Sequence, residues 1–357
     1  ASLYSTEKMA SAAAMQGLRA DPEDHLREAQ RDLLSAEFHD ILPGSAIKAV
    51  EGTSLRLMDH GMEILSRARA RAFFALCREQ VAAAPGEIPV LVMNPHPWAV
   101  SCDVACEFQL EDQNYEDYWS FPRIYKDGTP LPCQLEREAS NINLDWRKKL
   151  VFRARLEPGT VNRFDCRIEK LPGRPQPARK GSLRFGGATM RLDIDEASGL
   201  VSRYAVDGVE LLGPRAFAAL VLRDDEDPWA MRVHRFADSV GEFILTSPPR
   251  LVEDGEVRSI VEASFAWGSS KLLLRYLIPK EGAAFEVEAK VLWAEESLML
   301  KLRLPTPMEG GAYWGQSAYG REELASNGDE VVAQSWTAVV DAAGDRALGI
   351  INRGCYG

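Results

Sequence analysis

The sequence lacks several features that would point directly to one class of protein. Its 357 residues contain no apolar run near the roughly 18–20 residues that a helix needs to cross a bilayer. The net charge is −11 and no block of basic residues stands out, which argues against a surface that follows nucleic-acid phosphates. We therefore expect neither a membrane nor a nucleic acid as a partner.

Cysteine is also scarce. The six cysteines form no Cys-X-X-Cys pair, and so few in a chain of this length do not make a disulfide framework. The first residues show no basic region followed by an apolar core, as a signal peptide would. Both observations fit a reducing compartment, and we expect a cytoplasmic protein. The cysteines are Cys77, Cys102, Cys106, Cys133, Cys166 and Cys355.

Residues 1–84 are predicted to form three helices with short connections, which together make an antiparallel three-helix bundle. Asp21 and Pro22 suit the N-cap and the first position of the second helix, and Pro43-Gly44 is predicted to end it. The third helix is predicted from Ser45 to about Gln80. The apolar stripe of the second helix consists of Leu26, Leu33, Leu34, Phe38 and Ile41.

After residue 86 the apolar period changes from 3.6 to 2, which predicts β-strands for the rest of the chain. Residues 87–171 are expected to form a small β-sandwich, and the Pro-rich stretch that follows is typical of a linker. Residues 178–357 are expected to form a large antiparallel β-sandwich, because their strands alternate apolar and polar residues. Since the strand-like run Ala347 to Ile351 lies so near the last residue, we expect this domain to continue beyond residue 357.

The segment Glu37 to Ser45, EFHDILPGS, is the most informative stretch of the sequence. It places His39 and Asp40 at the predicted last turn of the second helix. On a helical wheel, His39 shares a polar face with Asp32 and Ser35, so it is predicted to point away from the bundle core. From spacing alone, a solvated surface histidine is the simpler interpretation, and a metal ligand is the alternative.

Metal binding at His39 would need further ligands, because zinc takes three or four. His60, on the predicted third helix, is too distant: the two positions would lie about 15 Å apart along antiparallel helices. The remaining ligands of any such metal must therefore come from another domain.

EFHDILPGS resembles the His-Asp motif in the middle helical domain of glycoside hydrolase family 38, the zinc-dependent α-mannosidases. The segment Asn94 to Trp98, NPHPW, resembles the stretch that opens the β part of these enzymes. The runs Ala318 to Arg321, Gln334 to Trp336 and Gly349 to Asn352 more loosely resemble their C-terminal domain. The resemblance covers most of the chain, with one specific motif, and implies a large sandwich of the galactose-mutarotase type.

The resemblance also implies roles for two residues. His39 matches a zinc ligand, and Asp40 matches the residue that accepts hydrogen bonds from hydroxyls of the bound mannose. An ionised carboxylate can accept from two neighbouring hydroxyls at once. The implied cofactor is one zinc ion that holds the sugar hydroxyls rather than activating water.

The catalytic residues are not expected in this chain. Enzymes of the family retain anomeric configuration, with an Asp nucleophile and a second carboxylic acid about 5 Å apart, both on an N-terminal α/β barrel. No alternating βα pattern precedes the first helix here. The whole protein is thus expected to hydrolyse terminal non-reducing α-D-mannosyl residues. Its expected partners are a mannose-containing glycan and its own N-terminal catalytic domain, which would supply the other zinc ligands; a homo-oligomer is possible. The chain alone is expected to be inactive.

Two other interpretations stay open. One is a non-catalytic carbohydrate-binding β-sandwich protein with a helical docking module, and the other is a structural adaptor that binds a partner through its polar helix face. Trp314 and Tyr319, which follow Gly310-Gly311, are candidates to contact a sugar, although packing within the sandwich explains them as well.

Overall fold

The computed structural model describes residues 2–19, 22–139, 144–177, 182–224 and 233–352. The chain divides into two compact units, residues 1–175 and residues 176–357. The boundary falls within the predicted linker. The first unit contains three helices followed by a set of antiparallel strands, and the second contains antiparallel strands throughout its described residues. The predicted order of elements, helices first and antiparallel β-sheets after them, is therefore confirmed.

The three helices are α1 (Ser2–Met15), α2 (Glu23–Ala36) and α3 (Lys48–Leu76). The long helix α3 packs against both of the others. Small residues bring α1 and α3 together, because Ala10 and Ala72 are buried with Met9 in one apolar cluster. The predicted N-cap Asp21 lies outside the described residues, and α2 begins directly after Pro22.

The predicted end of the second helix is wrong by about seven residues. Helix α2 ends at Ala36 rather than at Pro43, and residues 37–44 form a series of turns. The predicted apolar stripe is correspondingly incomplete, since Leu34 and Phe38 are 58% and 52% exposed. Phe38 lies beyond the end of α2, and it lacks the burial against a neighbouring element that supplies most of the stability of a helix in a protein.

Seven strands complete the first unit in two antiparallel sheets, with the orders β1-β7-β3-β4 and β2-β6-β5. Both sheets contribute to one apolar core, in which Phe152 and Phe164 meet edge to face at 5.0 Å between ring centroids. They therefore form a small β-sandwich. The strands are β1 (Glu87–Asn94), β2 (Val100–Asn114), β3 (Trp119–Lys126), β4 (Thr129–Pro130), β5 (Cys133–Glu136), β6 (Asp145–Leu156) and β7 (Thr160–Leu171).

A buried ion pair lies inside this sandwich. The ammonium of Lys148 is fully buried, donates a hydrogen bond to Asp145, and lies 4.2 Å from the centroid of the Trp119 ring. Asp145 also accepts hydrogen bonds from the backbone N–H of Ser120 at 2.8 Å and from Asn114 Nδ2 at 2.6 Å. Burial raises the pKa of Asp145, but these hydrogen bonds together outweigh burial, so its pKa lies below the usual value.

The second unit has sixteen described strands in four antiparallel sheets, ordered β11-β10-β9-β8, β13-β12-β19, β14-β16-β17-β18 with β15 also on β16, and β21-β20-β22-β23. One apolar core takes residues from all four sheets. The strands are β8 (Arg184–Gly186), β9 (Met190–Ile194), β10 (Val201–Val206), β11 (Val209–Leu212), β12 (Ala218–Arg223), β13 (Ser239–Glu242), β14 (Ile244–Leu245), β15 (Arg250–Asp254), β16 (Arg258–Trp267), β17 (Ser270–Pro279), β18 (Glu286–Leu292), β19 (Leu298–Arg303), β20 (Ala312–Ser317), β21 (Gly320–Leu324), β22 (Trp336–Val340) and β23 (Ala347–Ile351).

Sequence alternation does not always mark a buried face in this unit. Strand β9 buries its alternate apolar residues, as predicted. Strand β18 alternates as clearly in sequence, yet only Val287 is partly covered, and the other six residues are exposed. Strand β18 lies at the end of its sheet and pairs only with β17. Its neighbouring side chains Val291 and Leu292 point to opposite faces and are both exposed, so both faces of the strand are open to water there.

No helix among the described residues is long and apolar enough to span a membrane.

Loss of the buried carboxylate should destabilise the small sandwich strongly. We expect Asp145→Asn to lower the free energy of unfolding by about 3–5 kcal/mol, because the ammonium of Lys148 is then buried without a counter-charge. The stabilisation is present above the ordinary carboxylate pKa and is lost as the pH falls through the lowered pKa of Asp145. Urea unfolding at neutral and acidic pH measures both effects.

The control for this experiment is Glu157→Gln, which removes the exposed partner of Arg155 at 3.3 Å and should cost no more than about 1 kcal/mol. Removing both charges, with Asp145→Asn and Lys148→Met together, should cost less than Asp145→Asn alone. Equal losses for Asp145→Asn and Glu157→Gln would contradict the argument.

Candidate functional site

The segment 37–44 is a compact run of turns that follows α2. The N–H of Glu37 still donates to Leu33 O at 3.0 Å, which closes the helix. Two bonds then converge on Phe38 O, from the N–H of Ile41 at 2.8 Å and of Leu42 at 3.1 Å. The chain next passes through Pro43, which has no N–H, and Gly44, whose φ of +79° suits glycine.

His39 and Asp40 lie side by side at the middle of these turns. The side chain of His39 is 72% exposed and that of Asp40 is 46% exposed, and Nε2 of His39 lies 3.6 Å from Oδ2 of Asp40. The Phe38 ring lies against the imidazole, with 4.2 Å between ring centroids. The backbone carbonyl of Asp40 accepts a hydrogen bond from Ser45 Oγ at 3.3 Å, which links the middle of the segment to the residue that follows it.

The arrangement differs from the prediction in one respect and agrees in another. Because α2 has ended before His39, the helical-wheel argument that grouped His39 with Asp32 does not apply. Both side chains of the His-Asp pair are nevertheless accessible to solvent and close to each other. An imidazole nitrogen and a carboxylate at this separation can contact the same small ligand or ion.

Asp32 instead belongs to the interface between α2 and α3. Its Oδ2 lies 2.8 Å from Nδ1 of His60, and Nε2 of the same ring lies 3.9 Å from Glu28. Gly61 lies at the same contact, where a Cβ would be 3.4 Å from both Ala29 O and Asp32 Cβ, an ordinary van der Waals distance. Sequence reasoning considered His60 only as a metal ligand and missed this role. The available signal was a histidine next to a helical glycine.

Within the ranges that the structure describes, no three or more His, Cys, Asp or Glu side chains are grouped so as to hold a metal ion. The donors at the turn are one imidazole and one carboxylate, which are suitable ligand types for zinc but too few for a complete site. His39 and Asp40 fit a partial metal or sugar site to which another part of a protein contributes.

Several apolar side chains that are close to the His-Asp pair in the sequence are exposed to solvent. Leu42 and Ile47 are 70% and 71% exposed, in addition to Leu34 and Phe38 on the approach to the turns. Isolated exposed apolar residues are common, but a concentration around one short segment is typical of a surface that another protein surface covers.

The segment NPHPW forms a rigid corner after β1. Asn94 Nδ2 donates to Trp98 O at 2.9 Å and to Leu156 O at 3.3 Å, while its Oδ1 accepts from the N–H of His96 at 3.0 Å. The rings of His96 and Trp98 stack at 5.0 Å between centroids. These hydrogen bonds give the motif a structural role, because the buried side-chain amide of Asn94 bonds to backbone groups at the corner.

A cavity of about 400 Å³ in the second unit offers no further candidate site. Two of its three acidic residues already have structural roles: Glu210 binds Arg203, and Asp341 accepts hydrogen bonds from the backbone N–H groups of Asp345 and Arg346.

Comparisons with known proteins give the fold. No protein-family model matches the sequence, and no curated protein does. An α-mannosidase from Enterococcus faecalis V583 matches with a TM-score of 0.71 and 12% sequence identity, over 94% of this chain and 46% of that chain. A protein in glycosyl hydrolase family 38 from Enterococcus faecalis matches with a TM-score of 0.74 and 12% identity, over 94% of this chain and 47% of that chain.

This structural similarity confirms, for the fold, the resemblance to family 38 that the sequence motifs indicated. The chain spans about half the length of the solved structures that it matches, which agrees with a chain corresponding to a C-terminal portion of such an enzyme. At 12% identity the likeness establishes the fold.

Replacing glycine by alanine should change stability in opposite directions at Gly44, in the turns, and at Gly52, in helix α3. Gly44→Ala should lower the free energy of unfolding by about 1 kcal/mol, because φ there is +79° and no neighbouring atom would meet the new Cβ. Gly52→Ala, inside α3, should raise it by up to about 1 kcal/mol through helix propensity. Thermal unfolding of both variants measures the difference, and a change of the same sign in both would contradict the described turn.

Proposed function

We propose that this chain is the portion of a retaining α-mannosidase of the family 38 type that completes the active site without containing the nucleophile. The longer protein hydrolyses terminal non-reducing α-D-mannosyl residues of a glycan. The observation that carries the proposal is the exposed His39-Asp40 pair at the turns after α2, in a chain whose fold matches such enzymes over 94% of its length.

In this proposal His39 is one ligand of a zinc ion, and the remaining ligands come from an N-terminal catalytic domain. Zinc supplies a positive charge that holds the sugar hydroxyls. The donor types at the turn support this assignment, since imidazole is a common zinc ligand and Nε2 of His39 is not enclosed. The described residues do not supply a complete set of ligands for the metal. We therefore expect the chain alone to be inactive.

Asp40 accepts hydrogen bonds from hydroxyls of the mannosyl residue at the cleavage site. Its carboxylate lies 3.6 Å from the imidazole, so one sugar can contact both the carboxylate and a metal on His39. Specificity for the arrangement of two neighbouring hydroxyls follows, because one carboxylate has two oxygens in a fixed plane.

The exposed apolar residues around the pair support a covering domain. Leu34, Phe38, Leu42 and Ile47 are each more than half exposed, and a protein surface over them would bury apolar area while closing the sugar site from water. We propose that the protein's own catalytic domain is this cover.

We propose that the chain contains three domains. Residues 1–84 form a three-helix bundle that carries the site, residues 87–171 a small β-sandwich, and residues 178–357 a large sandwich of the galactose-mutarotase type. We propose a cytoplasmic location, which the free thiols of the five described cysteines support.

Activity should require both the chain and the domain that precedes it. The longest natural protein that contains this chain is compared with the chain alone on an aryl α-mannoside, before and after treatment with a chelator. We expect activity only in the longer protein, lost with the chelator and restored by zinc.

Substitutions separate the two roles. His39→Ala should lower bound zinc and abolish activity. Asp40→Asn should retain zinc and lower kcat/KM by about 100-fold or more, because hydrogen bonds to a charged group contribute about 1.5–3 kcal/mol each. His25→Ala, at an exposed position of α2, serves as the control. Chelator-resistant activity, or equal activity of His39→Ala and His25→Ala, would overturn the proposal.

A further inference from the structure

Strand β18 is the longest open sheet edge in the described part of the second unit. It has seven residues and pairs only with β17, whereas the other described strands at sheet ends in this unit have two to six residues. All of its residues except Val287 are exposed. An unpaired edge presents a row of backbone N–H and C=O groups to which another strand can bond.

The strand register shows which backbone groups of β18 point outward. The hairpin of β16 and β17 closes at Trp267 and Ser270 over a two-residue turn, so this pair exchanges hydrogen bonds, as does every second pair after it. The intervening residues of β17 bond to β18 instead, and among them Arg275 lies opposite Glu288. The residues of β18 whose N–H and C=O groups point away from the sheet are therefore Val287, Ala289 and Val291.

The sequence of β18 is complementary to itself in one antiparallel register. When Ala289 lies opposite Ala289 of a second copy, Glu288 lies opposite Lys290 of that copy, and Val287 lies opposite its Val291. Each of these two pairs occurs twice, because the arrangement has twofold symmetry. Opposite charges and apolar side chains that face each other across two strands both stabilise the pairing.

The backbone and the faces of the sheet fit the same register. Ala289, at the symmetry axis, has outward-pointing N–H and C=O groups, so the two copies can exchange hydrogen bonds at the axis itself. Val287 lies opposite Tyr276 of β17, which is buried in the core of the unit. The valine pairs therefore extend the core face of the sheet, and the charged pairs lie on the other face.

The nearest alternative registers bring like charges together. An axis at Glu288 places two glutamates opposite each other, and an axis at Lys290 places two lysines opposite each other. An axis at Val287 places Glu286 opposite Glu288. Because like charges directly opposite each other destabilise a strand pair, the order of charges along β18 favours the axis at Ala289.

The chain itself satisfies these charges only in part. Oε2 of Glu288 accepts a hydrogen bond from Nη1 of Arg275 at 2.6 Å, and its side chain is still 53% exposed. Lys290 lies opposite Leu273 and has no ion pair or hydrogen bond within the described ranges. A second copy would supply the carboxylate that the ammonium of Lys290 lacks.

We propose that a second copy of this chain pairs with β18 through its own β18, antiparallel about an axis at Ala289. The sheet that contains β16, β17 and β18 then continues into the same sheet of the second copy. A contact of seven residues from each chain is small, so the dimer dissociates on dilution. The contact uses neither His39 nor a metal, so it goes beyond the proposed hydrolysis and is tested independently of it.

Sedimentation equilibrium over a series of concentrations measures the association. The samples are the 357-residue chain and the longest natural protein that contains it, and we expect both to form dimers. Ala289→Pro should abolish the dimer, because it removes an outward N–H at the symmetry axis. The fold should persist, since that N–H makes no bond within the sheet, and circular dichroism of the variant checks this.

Exchange of charges between two variants tests the register. Glu288→Lys and Lys290→Glu each place like charges opposite each other in a dimer of identical chains, and each should weaken association at least tenfold. An equimolar mixture of the two variants should recover it, because every facing pair then again has opposite charges. Lys48→Glu, at the exposed first residue of α3, makes the same charge change as Lys290→Glu and should leave association unchanged.

Four results would overturn the proposal. Both proteins could stay monomeric at the highest soluble concentration. A folded Ala289→Pro chain could dimerise as the unsubstituted chain does, which would place the contact on another surface. The mixture of charge variants could associate no better than either variant alone. Finally, the 357-residue chain could dimerise while the longer protein does not, which would show that the preceding part of that protein covers β18.

Discussion

The position of the candidate site depends on the close contact between α2 and α3. Asp32 binds His60 across this contact, and Gly61 of α3 lies against Ala29 and Asp32 of α2. The contact lies one turn before α2 ends, so it fixes the point at which the chain leaves the helix. The turns that carry His39 and Asp40 therefore start from a rigid support, and only the segment after Ala36 needs its own hydrogen bonds to hold its shape.

The local sequence patterns predicted the element types well and the end of α2 poorly. Strand β9 occurs within the region where alternation predicted strands, and β23 coincides with the strand-like run Ala347 to Ile351. The end of α2 could not be read from Pro43-Gly44, because a breaker marks where a helix must have ended and not where it does end. The missing information is tertiary: whether another element covers Phe38.

The candidate site shows the same division between local and long-range information. The motif identified the pair that the structure leaves exposed, and the distance between His39 and Asp40 follows from their adjacency in sequence. The pairing of Asp32 with His60 could not be predicted, because their separation of 28 residues requires the register of two helices.

The burial of Lys148 has a practical consequence for chemical labelling. Amine-reactive reagents modify lysines that solvent reaches, and the ammonium of Lys148 is fully enclosed between Asp145 and the Trp119 ring. Its modification therefore requires the small sandwich to open, whereas exposed lysines such as Lys271 react in the folded state. The rate of labelling at this one side chain reports the opening free energy of the sandwich within the intact chain, apart from the stability of the second unit.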